Sequence, residues 1–572
     1  MSFDPSSSFE QTSSLRPAVA RPFRPGALAP AAILMALLTA ACDGGDAGTG
    51  GGGSGGGGAA GGAGGSGGTG GGEPAAPVVE TDKGKVEGTV LGATRAFLGI
   101  PFAAPPTGDL RWKPPIPHEA WSETLMAKKK GRACAQGNPL TGKLDTSSGE
   151  DCLFLNVWVP SEPKSDKLPV LVWIHGGAFV FGSGSDAAYD GQAFSEATGT
   201  VVVTVNYRLG PTGFLALPEL KAEDPAHAVA GNYGIQDQRL ALEWVKTNIG
   251  AFGGDAGNVT IFGESAGGIS ACVHLVSPTS EGLFHRAILQ SGPCNTIDTE
   301  AQATAQGATF VENLGCSGAE DVLACLRAKP IEDLMSALPA SNDFLGGDVS
   351  WFPIVDGLDI PDAPEKLLAE GSFAKVPVIL GSNADEATLF FALASTTIAD
   401  EAQLAALAEQ LVPGKGAEVV AMYPTADYGS AQAAAAAAVG DAGFVCPTRR
   451  AARMLSAGGA KAFLYHFTHD PGPSLLGDLG AFHSAEIKFV LGNPGQLLPG
   501  ALEGEELAMS QALMGYWSRL AEKGDPNGAG AFEWPEYTEA ADENIVLDLT
   551  FSKQAGLKKT QCDFWDGVVL GP

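Results

Sequence analysis

The chain has 572 residues, with 35 lysines and arginines against 65 aspartates and glutamates, a formal charge of −30. A surface this acidic excludes a nucleic-acid partner, because neutralising phosphates requires clustered Lys and Arg. With 44% hydrophobic and 17% charged residues the composition is globular, and general disorder is excluded.

The first element is an address. Arg16, Arg21 and Arg24 precede the 15-residue apolar run Ala27–Ala41, too short for the ~20 residues of a spanning helix. A basic segment, a short apolar core and small residues before a cleavage point describe a secretory signal peptide over residues 1–41. Leu38-Thr-Ala-Ala-Cys42 resembles a bacterial lipobox, with Thr39 where leucine is usual. That resemblance implies a lipidated Cys42 and an exported lipoprotein that meets the membrane through its lipid alone; a secreted or periplasmic product is the alternative. Behind it, 20 of the 29 residues Gly44–Gly72 are glycine. Such a tract buries no core and reads as a flexible tether over residues 42–76. The folded body is expected from residue 77 to 572.

From Val78 onward, apolar runs rich in Val, Ile, Leu and Phe alternate with amphipathic segments. Strands are predicted at Leu168–Ile174, Val201–Asn206, Asn258–Phe262, Arg286–Gln290, Val376–Leu380 and Ala462–His466. Ile235–Ile249 reads as a helix with Leu240, Trp244, Val245 and Ile249 on one face. Continuous apolar strands joined by helices predict an α/β fold with a large, mostly parallel sheet covered on both sides.

Within Asn258–Gly268, the sequence Gly263-Glu-Ser-Ala-Gly267 follows a predicted strand and opens a predicted helix from Ala266 to Leu275. That is the context of a nucleophile elbow, in which glycines permit a sharp turn that exposes the Ser265 hydroxyl. Upstream, Trp173-Ile-His-Gly-Gly-Ala-Phe179 ends a strand in small residues, a loop able to aim backbone N–H groups at an oxyanion. Of nine cysteines, removing Cys42 leaves eight, an even number that favours disulfides in an exported chain. Short spacings suggest the local pairs Cys134–Cys152 and Cys316–Cys325. No clustered His/Cys spacing suggests a metal site.

Together with Phe97-Leu-Gly-Ile-Pro-Phe-Ala-Ala-Pro-Pro106, Glu150-Asp-Cys-Leu-Phe-Leu-Asn-Val157 and Asn206-Tyr-Arg208, these motifs resemble the type B carboxylesterase and cholinesterase-like family of α/β-hydrolases from about Val78 to Asp566. The resemblance implies a serine carboxylesterase acting through an acyl-enzyme, without metal or organic cofactor. Ser265 is the expected nucleophile. In the chain order Ser, acid, His, the base is sought among His466, His469 and His483. His483, in Gly480–Glu486, resembles the family's catalytic histidine, whereas His466 and His469 read as structural. The segment Gly381-Ser-Asn-Ala-Asp-Glu386 resembles the acid segment, which assigns Glu386 and leaves Asp385 as a capping group. By the same resemblance Gly177, Ala178 and Ala266 supply the oxyanion N–H groups, with Ala178 where many relatives have glycine. Glu264 and Ser291 are expected supporting residues.

The family's pattern also implies bridges Cys134–Cys152, Cys316–Cys325 and Cys446–Cys562, and leaves Cys272 and Cys294 either paired or free. The expected substrate is an uncharged small to medium ester. Cys134 to Glu150 contains no Trp, Tyr or Phe, which argues against the cation–π recognition of a choline ester. A lipase, a polyester or amide hydrolase, and a non-catalytic binding relative remain as alternatives.

Overall fold

The computed structural model describes residues 76–137, 144–225, 229–339, 349–394 and 397–568. The signal, lipidation and tether readings, Cys42 included, lie outside the described residues.

Eleven strands form one sheet among the described residues. They are β1 (Thr89–Leu91), β2 (Thr94–Pro101), β3 (Phe154–Pro160), β4 (Leu168–Ile174), β5 (Val201–Val205) and β6 (Gly254–Glu264). Then follow β7 (Arg286–Gln290), β8 (Val378–Asn383), β9 (Ala462–Phe467), β10 (Glu543–Leu547) and β11 (Ser552–Ala555). Their order across the sheet is β1-β2-β3-β5-β4-β6-β7-β8-β9-β10-β11. From β5 to β10 every pairing is parallel. Both margins are antiparallel, β1-β2-β3-β5 on one side and β10-β11 on the other.

The continuous apolar character of the inner strands follows from burial on two faces. In β4, Val170, Val172 and Ile174 enter one core, and the alternating Leu171 and Trp173 enter the other. The first core is covered by helices α1 (Tyr233–Asn248), α2 (Ala266–Val276) and α3 (Cys446–Ala457), through residues such as Trp244, Val273 and Leu455. The second is covered by α4 (Ile487–Leu491) and α5 (Gly504–Lys523), through Phe489, Leu513 and Trp517. A third cluster packs smaller helices against α6 (Lys559–Val568) and Trp565.

Both ends of two predicted elements, β8 and α1, shift. β8 starts at Val378 because Pro377 has no N–H to donate; its carbonyl still accepts from Ala287 N–H at 3.1 Å. The strand then runs on through Gly381, Ser382 and Asn383, polar residues that resemble a turn, because β9 offers partners at Tyr465, His466 and Phe467. Helix α1 begins two residues before Ile235, and Ile249 opens a short 3-10 turn instead of ending the helix.

Four disulfides are present among the described residues. Cys134–Cys152, Cys316–Cys325 and Cys446–Cys562 are the implied pairs. Cys272 and Cys294 are also bridged, tying α2 to the segment after β7. No described helix is long and apolar enough to cross a membrane.

Candidate active site

The loops at the C-terminal ends of the parallel strands converge, the usual location of ligands in open α/β sheets. Strand β6 ends at Glu264, and α2 starts at Ala266. The turn between them is Ser265 alone, at φ 54°, ψ −121°. A non-glycine residue at positive φ is strained and needs support. Ser265 N–H donates to the Gln290 carbonyl at 2.9 Å, and its own carbonyl accepts from Ile269 N–H at 2.9 Å. The flanking glycines are required by crowding: a Cβ at Gly263 would lie 2.5 Å, and one at Gly267 1.9 Å, from the Ile174 carbonyl oxygen.

Glu386 and His483, 97 residues apart, meet beside this turn: His483 Nδ1 lies 2.7 Å from Glu386 Oε2. Glu386 is buried, and its other oxygen accepts from Ser291 Oγ at 2.6 Å and from Asn383 N–H at 2.8 Å. The histidine loop is stitched to the end of β8. Asp385 N–H donates to the Ala481 carbonyl at 3.0 Å, and its Oδ2 accepts from Ala481 N–H at 2.9 Å. Asn383 Nδ2 donates to the Phe482 carbonyl at 2.8 Å. Phe390 and Phe444 flank the imidazole, with ring centroids 5.0 and 4.8 Å away. Phe444 is carried by a π-helical turn, Asp441–Val445. His466 and His469 share no hydrogen bond with Glu386. His466 is buried in β9, where burial lowers its pKa to about 4; His469 lies 3.1 Å from Glu506 Oε1.

The loop after β4 also comes close to the serine. A Cβ at Gly176 would come within 3.2 Å of Ser265 Cβ. Gly177, Ala178 and Phe179 all have positive φ (107°, 50° and 60°), so Ala178 keeps the N–H of a glycine but in a backbone region that favours glycine. The Gly177 carbonyl accepts from Val180 and Phe181 N–H at 2.9 and 3.1 Å. The N–H groups of Gly177 and Ala178 have no acceptor among the described residues. Ala266 N–H, the first of α2, has no intrahelical partner.

Comparison with known proteins decides the family. The Carboxylesterase family matches residues 75–565. The chain belongs to the carboxylesterase family. It is 36% identical over 483 residues to para-nitrobenzyl esterase of Bacillus subtilis (strain 168), covering 82% of this chain and 94% of that one. A solved PNB esterase superimposes with a TM-score of 0.74 at 35% identity, covering 85% of this chain and 99% of that one. A thermophilic PNB esterase gives 0.75 at 34% identity, with 85% and 99% coverage. The fold is that of an α/β-hydrolase, and the protein is a serine carboxylic ester hydrolase.

The electrostatics of this carboxylesterase centre on three buried carboxylates around one imidazole. Glu264 Oε1 is 3.1 Å from His483 Nε2, without hydrogen-bond geometry; both atoms are buried without a hydrogen-bond partner. No hydrogen bond joins Nε2 to Ser265 Oγ among the described residues. Burial opposes charging the His483 ring, but Glu264, the hydrogen bond to Glu386 and the charges of Glu386 and Glu486 outweigh it and raise the pKa to about 9. Burial raises Glu264 to about 8 against the pull of His483.

Glu486 is a site residue that sequence reasoning missed. It accepts from Gln290 Nε2 at 3.0 Å and from Asn383 Nδ2 at 2.7 Å, so Gln290 holds the serine by its backbone and Glu486 by its side chain. The only signal was its position three residues after His483. Among the described residues no group of three or more His, Cys, Asp or Glu is placed to hold a metal ion.

Proposed function

We propose that Ser265 is the nucleophile, His483 the general base and Glu386 the carboxylate that orients it. Ser265 Oγ attacks the ester carbonyl carbon while its proton passes to His483 Nε2, and the carbonyl electron pair moves onto oxygen. The N–H groups of Gly177, Ala178 and Ala266 hold that oxyanion. The C–O bond then breaks, and the alcohol leaves with the proton from His483. Water repeats the sequence on the acyl-enzyme and frees the acid. Ser291 fixes the acid, and Glu264 stabilises the imidazolium. The observation that carries the reading is the asymmetry of His483: one ring nitrogen is held by a buried carboxylate at 2.7 Å and the other has no hydrogen-bond partner.

The substrate read from the sequence is an uncharged small to medium ester. The Bacillus subtilis relative is named for para-nitrobenzyl esters, which supports a neutral aryl-bearing ester as a test compound. A fluorophosphonate probe should label Ser265 and leave Ser265→Ala unlabelled, with p-nitrophenyl ester turnover lost by several orders of magnitude in a folded variant. Near wild-type turnover in Ser265→Ala ends the assignment, and rates that climb steadily with long acyl chains turn the substrate reading towards a lipase.

The address signals support export and a lipid anchor at Cys42, with residues 43–76 as tether. Two or more acyl chains give stable attachment where one gives marginal binding. Labelled palmitate should enter the wild type and not Cys42→Ala; equal label in both rejects the anchor.

A further inference from the structure

We propose that Gln136 is a positioning residue for the oxyanion loop: its carboxamide pairs with both backbone groups of Gly182 and so holds the loop whose Gly177 and Ala178 N–H groups face the substrate carbonyl. The inference rests on the oxyanion reading given above.

The loop Gly177–Gly182 is built against its own local preferences. Ala178 and Phe179 sit at φ 50° and 60°, between Gly177 at 107° and Gly182 at 108°. Neither alanine nor phenylalanine favours that region, so such a backbone persists only where its surroundings over-determine it. The loop also folds back tightly: a Cβ at Gly182 would lie 2.5 Å from His175 Nδ1 and 2.6 Å from the Gly176 carbonyl oxygen. Ties from outside the loop must hold this shape.

At its start, the His175 carbonyl accepts from Tyr207 Oη at 2.8 Å, and at its middle the Phe179 carbonyl accepts from Gly210 N–H at 2.7 Å. Its end is held by Gln136. Gly182 N–H donates to Gln136 Oε1 at 2.9 Å, and Gln136 Nε2 donates to the Gly182 carbonyl at 3.1 Å. One primary amide thus satisfies a donor and an acceptor on the same residue, as a neighbouring strand would. Nε2 also donates to the Cys134 carbonyl at 3.0 Å, which aims the amide from its own side.

Gln136 lies two residues beyond Cys134, so the Cys134–Cys152 bridge anchors the clamp. Asn206 stitches the same two loops together one step further on. Its Nδ2 donates to the Arg132 and Cys152 carbonyls at 2.8 and 3.0 Å, and its Oδ1 accepts from Gly184 N–H at 2.8 Å. Asn206 is fully buried, whereas Gln136 is partly exposed, so removing the Gln136 headgroup separates positioning from folding.

The test compares Gln136→Met, which keeps length without the amide, and Gln136→Glu, which keeps an acceptor and loses both donors. Active sites are counted with a fluorophosphonate, and kcat, KM and the affinity of an alkyl trifluoromethyl ketone are measured per labelled site. Ser265 Oγ adds to the ketone carbon as its proton passes to His483, and the carbonyl π pair moves onto oxygen, placing an oxyanion in the loop. Both variants should keep KM within about twofold and lose ~10- to 100-fold in kcat. Ketone affinity should fall by the same factor, which a merely structural role would not produce. Unchanged kcat per labelled site in either variant, even with lower stability, overturns the inference. So does a kcat loss with unmoved ketone affinity. A wild type that takes no label at Ser265 instead overturns the active-site reading, and this inference with it.

Discussion

Glu386 spends both oxygens on fixed partners: Oε2 lies 2.7 Å from His483 Nδ1, while Oε1 accepts from Ser291 Oγ and Asn383 N–H. A buried carboxylate with every contact satisfied holds one orientation, and it fixes the ring through Nδ1, leaving Nε2 without a hydrogen-bond partner, 3.1 Å from Glu264 Oε1. In the proposed triad this carboxylate would therefore act by geometry as much as by charge.

Replacing Glu386 by glutamine keeps the shape and removes the charge. kcat should fall ~10^3- to 10^4-fold with little change in fold. Ser291→Ala removes one hydrogen bond to the carboxylate and should cost roughly tenfold in kcat/KM. Steady-state kinetics with p-nitrophenyl acetate separate the two, and equal losses in both variants would contradict this division.

Activity should rise with pH as His483 loses its proton. Because neighbouring carboxylates raise its pKa, the acid limb of kcat/KM should lie above the ordinary histidine value of 6.5. Glu264→Gln removes the neighbour that, when ionised, raises the His483 pKa most. With less negative potential at Nε2, the protonated ring is less favoured and the limb should move to lower pH. A limb that stays in place in Glu264→Gln shows that Glu264 does not govern the base.

Cys446–Cys562 spans 116 residues and Cys316–Cys325 spans 9. In the chain-entropy view a loop of about 100 residues contributes ~4.7 kcal/mol and one of about 15 contributes ~3 kcal/mol. Serine replacement of the long-range pair should therefore lower Tm more than replacement of the short-range pair. Calorimetry of the two double variants checks the order, and the reverse order refutes it.

Gly267→Ala should damage the elbow directly. The added Cβ would sit 1.9 Å from the Ile174 carbonyl oxygen, a backbone atom of β4 that has no room to retreat. Such overpacking costs about 1–3 kcal/mol or more, and here α2 must shift away from the sheet, moving Ser265. Thermal unfolding should show lower stability, and turnover per labelled site should fall; an unchanged Tm counts against this packing.

What the sequence determined by itself was mostly local. A strand, Gly-Glu-Ser-Ala-Gly and a helix within a few residues define the elbow whatever the rest of the chain does, because turn geometry is short-range. The six apolar runs are strands in the structure, since burial on two faces demands that composition. The margins escaped: Ser552–Ala555 in β11 is polar and largely exposed, and only its pairing with β10 makes it a strand. Ser382 and Asn383 lie beyond the predicted strand end at Leu380, and only pairing with β9 makes them strand.

The tertiary structure decided which distant groups meet and which polar side chains turn inward. Glu386 was assigned through its resemblance to a family segment; its contact with His483 depends on β8 and β9 being sheet neighbours, a long-range fact. Asn383 and Gln136 carry no local signal and Glu486 only its nearness to His483, because a glutamate or an amide is solvated by default and turns inward only where the fold brings it partners. The Cys272–Cys294 bridge was open on arithmetic and was settled by the docking of α2 beside the segment after β7. Local chemistry is written in short stretches of chain, while the company each group keeps follows from the order in which strands are packed.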